Sequence, residues 1–182
     1  NEAESETEQK QMLAAFFDAN TIDSRVAYAI KELGKLQNED GSWSWYPGMK
    51  GNSNITVSVA EMLVRLNKNA GMQKETQAML VKAMDYLSKE TAKLVEKLKE
   101  MEKKGQTVAF PGLTTLQILY LNAISSTSQP HNLTTSQPHN LITSQPHIYL
   151  IELLKKDIKK QSIYEKALTA IVLAKSGQQK NG

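Results

Sequence analysis

The chain has 182 residues, 40% of them hydrophobic, enough for one sizeable core, so a single domain over residues 1–182 is expected. Its 22 basic and 19 acidic residues leave a net charge of +3, with the cations lying mostly on segments already patterned with Glu, which gives no support to nucleic-acid binding. It has no cysteine, which excludes disulfides, thiolate metal sites, a cysteine nucleophile and a thioester formed within these residues.

Asn1 to Lys10 is acidic and polar, not a basic stretch followed by an apolar run, so a mature or excised segment without a signal peptide is expected. Nowhere do eighteen apolar residues run together, so no membrane span is expected. The first helix is predicted over Glu6 to Phe17, with Met12, Leu13, Phe16 and Phe17 on one face. A second follows a Thr21 or Asp23 cap and ends near Gln37, its apolar stripe formed by Ile22, Val26, Ala29, Ile30, Leu33 and Leu36.

The next segment, Asn38 to Asn54, is rich in Gly, Ser, Asn and aromatic residues and breaks the helical period, which marks a structured loop. A third helix is predicted from a Ser53 or Asn54 cap to Gly71. The longest helix, Gln73 to Lys104, carries a heptad seam at Leu80, Met84, Leu87, Thr91, Leu94, Leu98 and Met101. About three heptads favour a long helix packed inside one domain over a free-standing coiled coil. Gly105 closes it, and Phe110-Pro111-Gly112 opens a shorter helix.

Two more helices are predicted, His147 to Lys160 and Ser162 to Ser176. The last is apolar nearly all round and reads as a buried helix. Between the fifth and sixth lies a repeat of Thr-Ser-Gln-Pro-His at Thr127 to His131, Thr135 to His139 and Thr143 to His147. A Pro in each unit and the lack of an apolar face predict an inserted loop over residues 126–147. Seven helices and no strand make the expected fold all-α.

Chemistry finds little purchase in this pattern. The only histidines, His131, His139 and His147, sit eight residues apart, a spacing that does not preorganise metal ligands, and a solvated loop is favoured over a metal site. The sequons at Asn54-Ile55-Thr56 and Asn132-Leu133-Thr134 read as coincidence. Carboxylates such as Glu96 and Glu100 have Lys99 and Lys103 at helical spacing and read as a hydrated face, not an acid-base pair. No catalytic, cofactor-binding or metal-ligating residue is assigned.

The densest local signal is the run Leu36-Gln37-Asn38-Glu39-Asp40-Gly41-Ser42-Trp43-Ser44-Trp45-Tyr46-Pro47-Gly48-Met49. Asp40-Gly41 supplies a tight turn, Gln37 can satisfy backbone groups at a helix end, and Trp43 and Trp45, two apart, are expected to lean to the same side of an extended stretch. The whole reads as a plug between helical hairpins. The alternative is an aromatic shelf at Trp43, Trp45 and Tyr46 that binds a peptide or glycan.

Gln-x-x-Asp-Gly-Ser-Trp at Gln37 to Trp43 resembles the QW-type motif of α/α-toroid proteins, which include terpenoid cyclases, protein prenyltransferases and thioester domains of complement and macroglobulins. The longer string to Met49, followed by Asn54-Ile55-Thr56 and a helix, is similar to bacterial alpha-2-macroglobulins in particular. That resemblance spans roughly residues 5 to 125 and, less closely, 148 to 178, with the histidine repeat as a departure. It implies a full or partial toroid of about seven helices in antiparallel hairpins. It further implies an origin in the periplasm or cell envelope, within a large inhibitor that traps endopeptidases when its bait region is cleaved. Partners would be other domains of the parent macroglobulin and, through it, target proteases; a homodimer of this segment is a further expectation. Glu8-Gln9 lacks the thioester cysteine, so no catalytic role carries over; Gln37, Asp40, Gly41, Trp43, Trp45, Pro47 and Gly48 inherit a structural one. A toroid enzyme is disfavoured, since neither an acidic DxDD-type cluster nor a zinc set is present.

Overall fold

A computed structural model describes residues 2–16, 19–70, 74–125 and 144–178. Among the described residues the fold is all-α: α1 (Glu2–Phe16), α2 (Ala19–Lys35), α3 (Ser53–Ala70), α4 (Lys74–Lys103), α5 (Leu113–Ser125), α6 (Gln145–Asp157) and α7 (Ile163–Gln178), with a 3-10 turn at Ile158–Lys160. The backbone divides into two compact units, residues 1–37 and 38–182.

In the first unit α1 packs on α2. Of the predicted apolar face of α1, Met12 and Leu13 are both exposed, and the side chains of Phe16 and Phe17 lie outside the described residues. The ten residues from Glu2 to Gln11 include only one apolar side chain, Ala3, so the last turns alone cannot define a stripe that continues along the helix. Helix α2 starts at Ala19, ahead of the Thr21 or Asp23 expected to cap it.

In the second unit α5 lies between α3 and α7, while α4 packs along α3 and α6. Burial on α4 follows Thr76, Leu80, Ala83, Leu87, Thr91, Val95 and Leu98, so the seam faces neighbours within the chain. Its C-terminus closes as a Schellman motif: Gln106 N–H donates to Met101 O at 3.0 Å and Gly105 N–H to Glu102 O at 2.9 Å, with Gly105 at φ 74°.

The core is built from Val95 and Leu98 of α4, Leu116, Leu119 and Tyr120 of α5, Leu150 and Leu154 of α6, and Leu168 and Val172 of α7, closed by Phe110. Each fully buried leucine contributes about 1.5–3 kcal/mol. The buried helix is α5, not α7. Eight of the 13 residues of α5 are buried and none is charged, whereas α7 leaves Ile163 89% and Tyr164 52% exposed. Glu165, Lys166 and Lys175 on α7 were the signal, since a helix enclosed on all sides has no place to solvate them.

The loop expected over residues 126–147 does not extend to its last residues, which are helical. The third unit of the repeat starts α6, with Ser144 at the N-cap position and Pro146 in the first turn, where a missing N–H costs nothing. The units at Thr127 to His131 and Thr135 to His139, the sequon at Asn132 and the stop expected at Gly71 lie outside the described residues.

Candidate functional site

The tryptophan-bearing segment begins where α2 has ended at Lys35, with Gln37 N–H donating to Gly34 O at 3.3 Å. Gln37 falls in the first unit, and the rest of the motif in the second. Gly41 N–H returns to Asn38 O at 2.9 Å, and Asn38 N–H reaches Ser42 O at 2.9 Å, closing a small backbone ring. Asp40 sharpens it as an Asx turn, its Oδ1 accepting both Ser42 N–H and the Ser42 hydroxyl. Asn38 Nδ2 donates to Ser42 Oγ, so this wholly buried hydroxyl is satisfied in both directions.

Gly41 is required twice. Its φ is 87°, and a Cβ there would stand 2.3 Å from the Lys82 carbonyl oxygen of α4. Gly51, which the sequence reading passed over, is constrained by space alone: its Cβ would fall 2.0 Å from Ser42 Oγ. The segment is thereby pressed on α4 at one end and folded onto itself at the other.

Trp43 is buried, at 3% exposure. Its N–H donates to Thr56 Oγ1 at 2.9 Å and its carbonyl accepts Asn52 N–H at 2.9 Å, while the Thr56 hydroxyl donates to Asn52 O at 2.8 Å. Asn52 also caps α3, one residue before the expected cap: its Oδ1 accepts the N–H groups of Asn54 and Ile55. Tyr86 of α4 completes the join through a hydrogen bond to the Ser53 side chain, and burial raises its phenol pKa. The segment thus fastens the start of α3 to the middle of α4. Thr56, buried completely, had been read only as part of a sequon; a Thr in the first turn, 13 residues after a Trp, carries no local signal of this bond.

Trp45 does not join Trp43. It is 67% exposed and Tyr46 71%, because the backbone bends at Trp45 and Tyr46 before a turn in which Met49 N–H donates to Tyr46 O at 3.2 Å. Pro47 and Gly48, the latter at φ 80°, occupy the central positions of that turn, the arrangement of a type II turn. A three-ring shelf is therefore not formed, since one ring is enclosed.

Beside the turn a groove of about 250 Å³ is lined by Glu39, Asp40, Lys82, Asp85, Tyr86, Lys89, Glu90 and Lys93. Its charges are largely matched: Lys89 pairs with Asp85 at 2.6 Å, Lys93 with Glu90 at 2.7 Å, and Asp40 holds Ser42. Hydrogen bonding to Glu90 raises the Lys93 pKa. Glu96 and Glu100 are exposed, as a hydrated face requires, while ion pairs at helical spacing form at these other positions of α4, and Lys99 lies over the Tyr149 ring at 5.4 Å.

A second polar cluster surrounds His147, 1% exposed between α5 and α6. Asn122 Nδ2 donates to Ile118 O and to His147 Nε2, both at 2.9 Å, so Nε2 accepts and the ring proton sits on Nδ1, which donates to Ser144 Oγ at 2.6 Å. That polarity is the reverse of what a nucleophilic serine needs, because His147 gives Ser144 a proton to share and takes none from it. Desolvation lowers the His147 pKa to about 4, keeping the ring neutral. The third unit's Ser-x-x-His is thus a helix-end lock, a role the repeat reading missed because the Asn122 partner is 25 residues away.

Among the described residues no group of three or more His, Asp or Glu side chains converges as a metal site, and no helix is long and apolar enough to cross a membrane. Comparisons with protein-family models, curated proteins and solved structures find no match to this chain.

Proposed function

We propose that this chain is a non-catalytic helical module of a bacterial alpha-2-macroglobulin-like endopeptidase inhibitor, acting in the periplasm or cell envelope as part of an α/α-toroid ring in a larger protein. The observation that carries this reading is the burial of Trp43 within a hydrogen-bonded turn fastened to α3 and α4. Of the residues that resemble the macroglobulin string, Asp40 and Gly41 in a turn and the buried Trp43 support a structural role, and the exposed Trp45 does not. Its partners would be neighbouring domains of the parent and, through them, the trapped protease.

The test uses the intact parent protein. Protease cleavage should convert it to a faster-migrating form on native gels, and Trp43→Ala should yield a loosened form before any protease is added. A parent whose migration and protease trapping ignore Trp43→Ala would contradict the reading. So would specific turnover of any substrate by the 182-residue chain alone.

A further inference from the structure

The open side of α7 is apolar. Ile163, Tyr164, Ala167, Ala170, Ile171 and Ala174 are all exposed, and at 100° per residue they occupy about 120° of the helix circumference. The opposite side, with Leu168, Thr169 and Val172, is already buried in the second unit. No charged side chain interrupts the open stripe, and lysines border it, Lys166 on one flank and Lys175 on the other. The only acids on α3, α5 and α7 are already engaged: Glu61 pairs with Arg65 at 2.7 Å, and Glu165 is held by Ser162 in a capping box.

We infer that this face of α7 is a docking surface for a partner helix whose own small or leucine-rich stripe is flanked by Glu or Asp. Ala167, Ala170 and Ala174, one helical turn apart, let a second backbone approach closely, with Tyr164 and Ile171 as a ridge beside them, the geometry of helix packing. The basic border supplies the charge preference. An anionic membrane surface fits less well, since the stripe lacks the Leu, Phe or Trp side chains that insert into a lipid boundary. Residues 127–147 contain no acid and do not match the border. A second copy pairing through α7 would place the same lysine-bordered face on both sides, where charge matching is absent.

The test titrates the full chain into a labelled peptide of about twenty residues, helical and carrying an Ala/Leu stripe flanked by Glu. A Lys-flanked twin, vesicles containing phosphatidylglycerol and sedimentation of the chain alone run in parallel. Saturable binding of the Glu-flanked peptide is expected, weakened by 0.5 M salt, roughly tenfold weaker in Ala170→Glu and roughly two- to fivefold weaker in Lys166→Glu. Both positions are exposed, so helicity and unfolding midpoint should stay at wild-type values. The inference is overturned by equal binding of the Lys-flanked twin, by binding that ignores Ala170→Glu, or by binding to vesicles but not peptide. Self-association abolished by Ala170→Glu would overturn it too. None of these outcomes depends on Trp43, so the inference and the proposed inhibitor role fail separately.

Discussion

Gly41 is the residue at which the tryptophan turn is most sharply specified. Its positive φ and the Lys82 carbonyl 2.3 Å from where a Cβ would lie make Gly41→Ala doubly unfavourable, and a loss of about 2 kcal/mol or more is expected from urea unfolding. Gly48 has a similar φ of 80° but nothing within 4 Å of a Cβ, so Gly48→Ala should cost only the backbone strain, about 1 kcal/mol. Equal effects of the two substitutions would show that the turn is not seated on α4. His147 gives a pH dependence. Its folded pKa is lowered from 6.5 to about 4, so the unfolded chain takes up more protons in that window, and stability present at neutral pH is lost as pH falls through it. The loss by the low end is about 3 kcal/mol, read as a falling urea midpoint, and His147→Gln, which cannot titrate, should flatten that part of the profile. At this scale the sequence disclosed the Asp40-Gly41 turn because turn chemistry is local, while the Pro47-Gly48 turn was not read from it. It did not disclose Thr56, Gly51 or the Asn122–His147 pair, whose roles depend on partners brought up by the fold.

At the level of elements, most helices were legible because their apolar residues recur at helical spacing and because Gly105 stops α4 while Asn38 to Asn52 breaks the pattern. The errors share a cause. Periodicity measures how apolar a helix is and not whether a neighbour covers it, so it singles out α7 although α5, shorter and uncharged, is the enclosed helix. Trp43 and Trp45 were assigned to one side on the premise of extended backbone, and the bend at Trp45 and Tyr46 sends them apart. The repeat supplies a prediction of its own. Its third unit is part of α6, so shortening the region from Thr127 to one unit while keeping Ser144 to His147 should leave helicity and the unfolding midpoint nearly unchanged. Removing the third unit instead should destabilise the chain, because His147 is enclosed and hydrogen-bonded to both Asn122 and Ser144. Circular dichroism during urea titration separates the two deletions; a large loss from the first would mean the earlier units also belong to the folded unit.

For the whole molecule, the proposed role asks the helices to be scaffold and the tryptophan turn to be their fastening. Among the described residues Lys89–Asp85 and Lys93–Glu90 pair along the turn's groove, and His147 ties α6 to α5 through Asn122. Family resemblance supplied the inhibitor role, and physical reading of the residues supplied the wedge. The wedge is tested most directly by the urea midpoints of Trp43→Ala and Trp45→Ala, followed by circular dichroism. Trp43 is 3% exposed and Trp45 67%, so the first substitution should cost about 3–5 kcal/mol and the second less than about 0.5 kcal/mol. A Trp43→Ala midpoint equal to that of the wild type, or a larger loss at Trp45, would contradict the account.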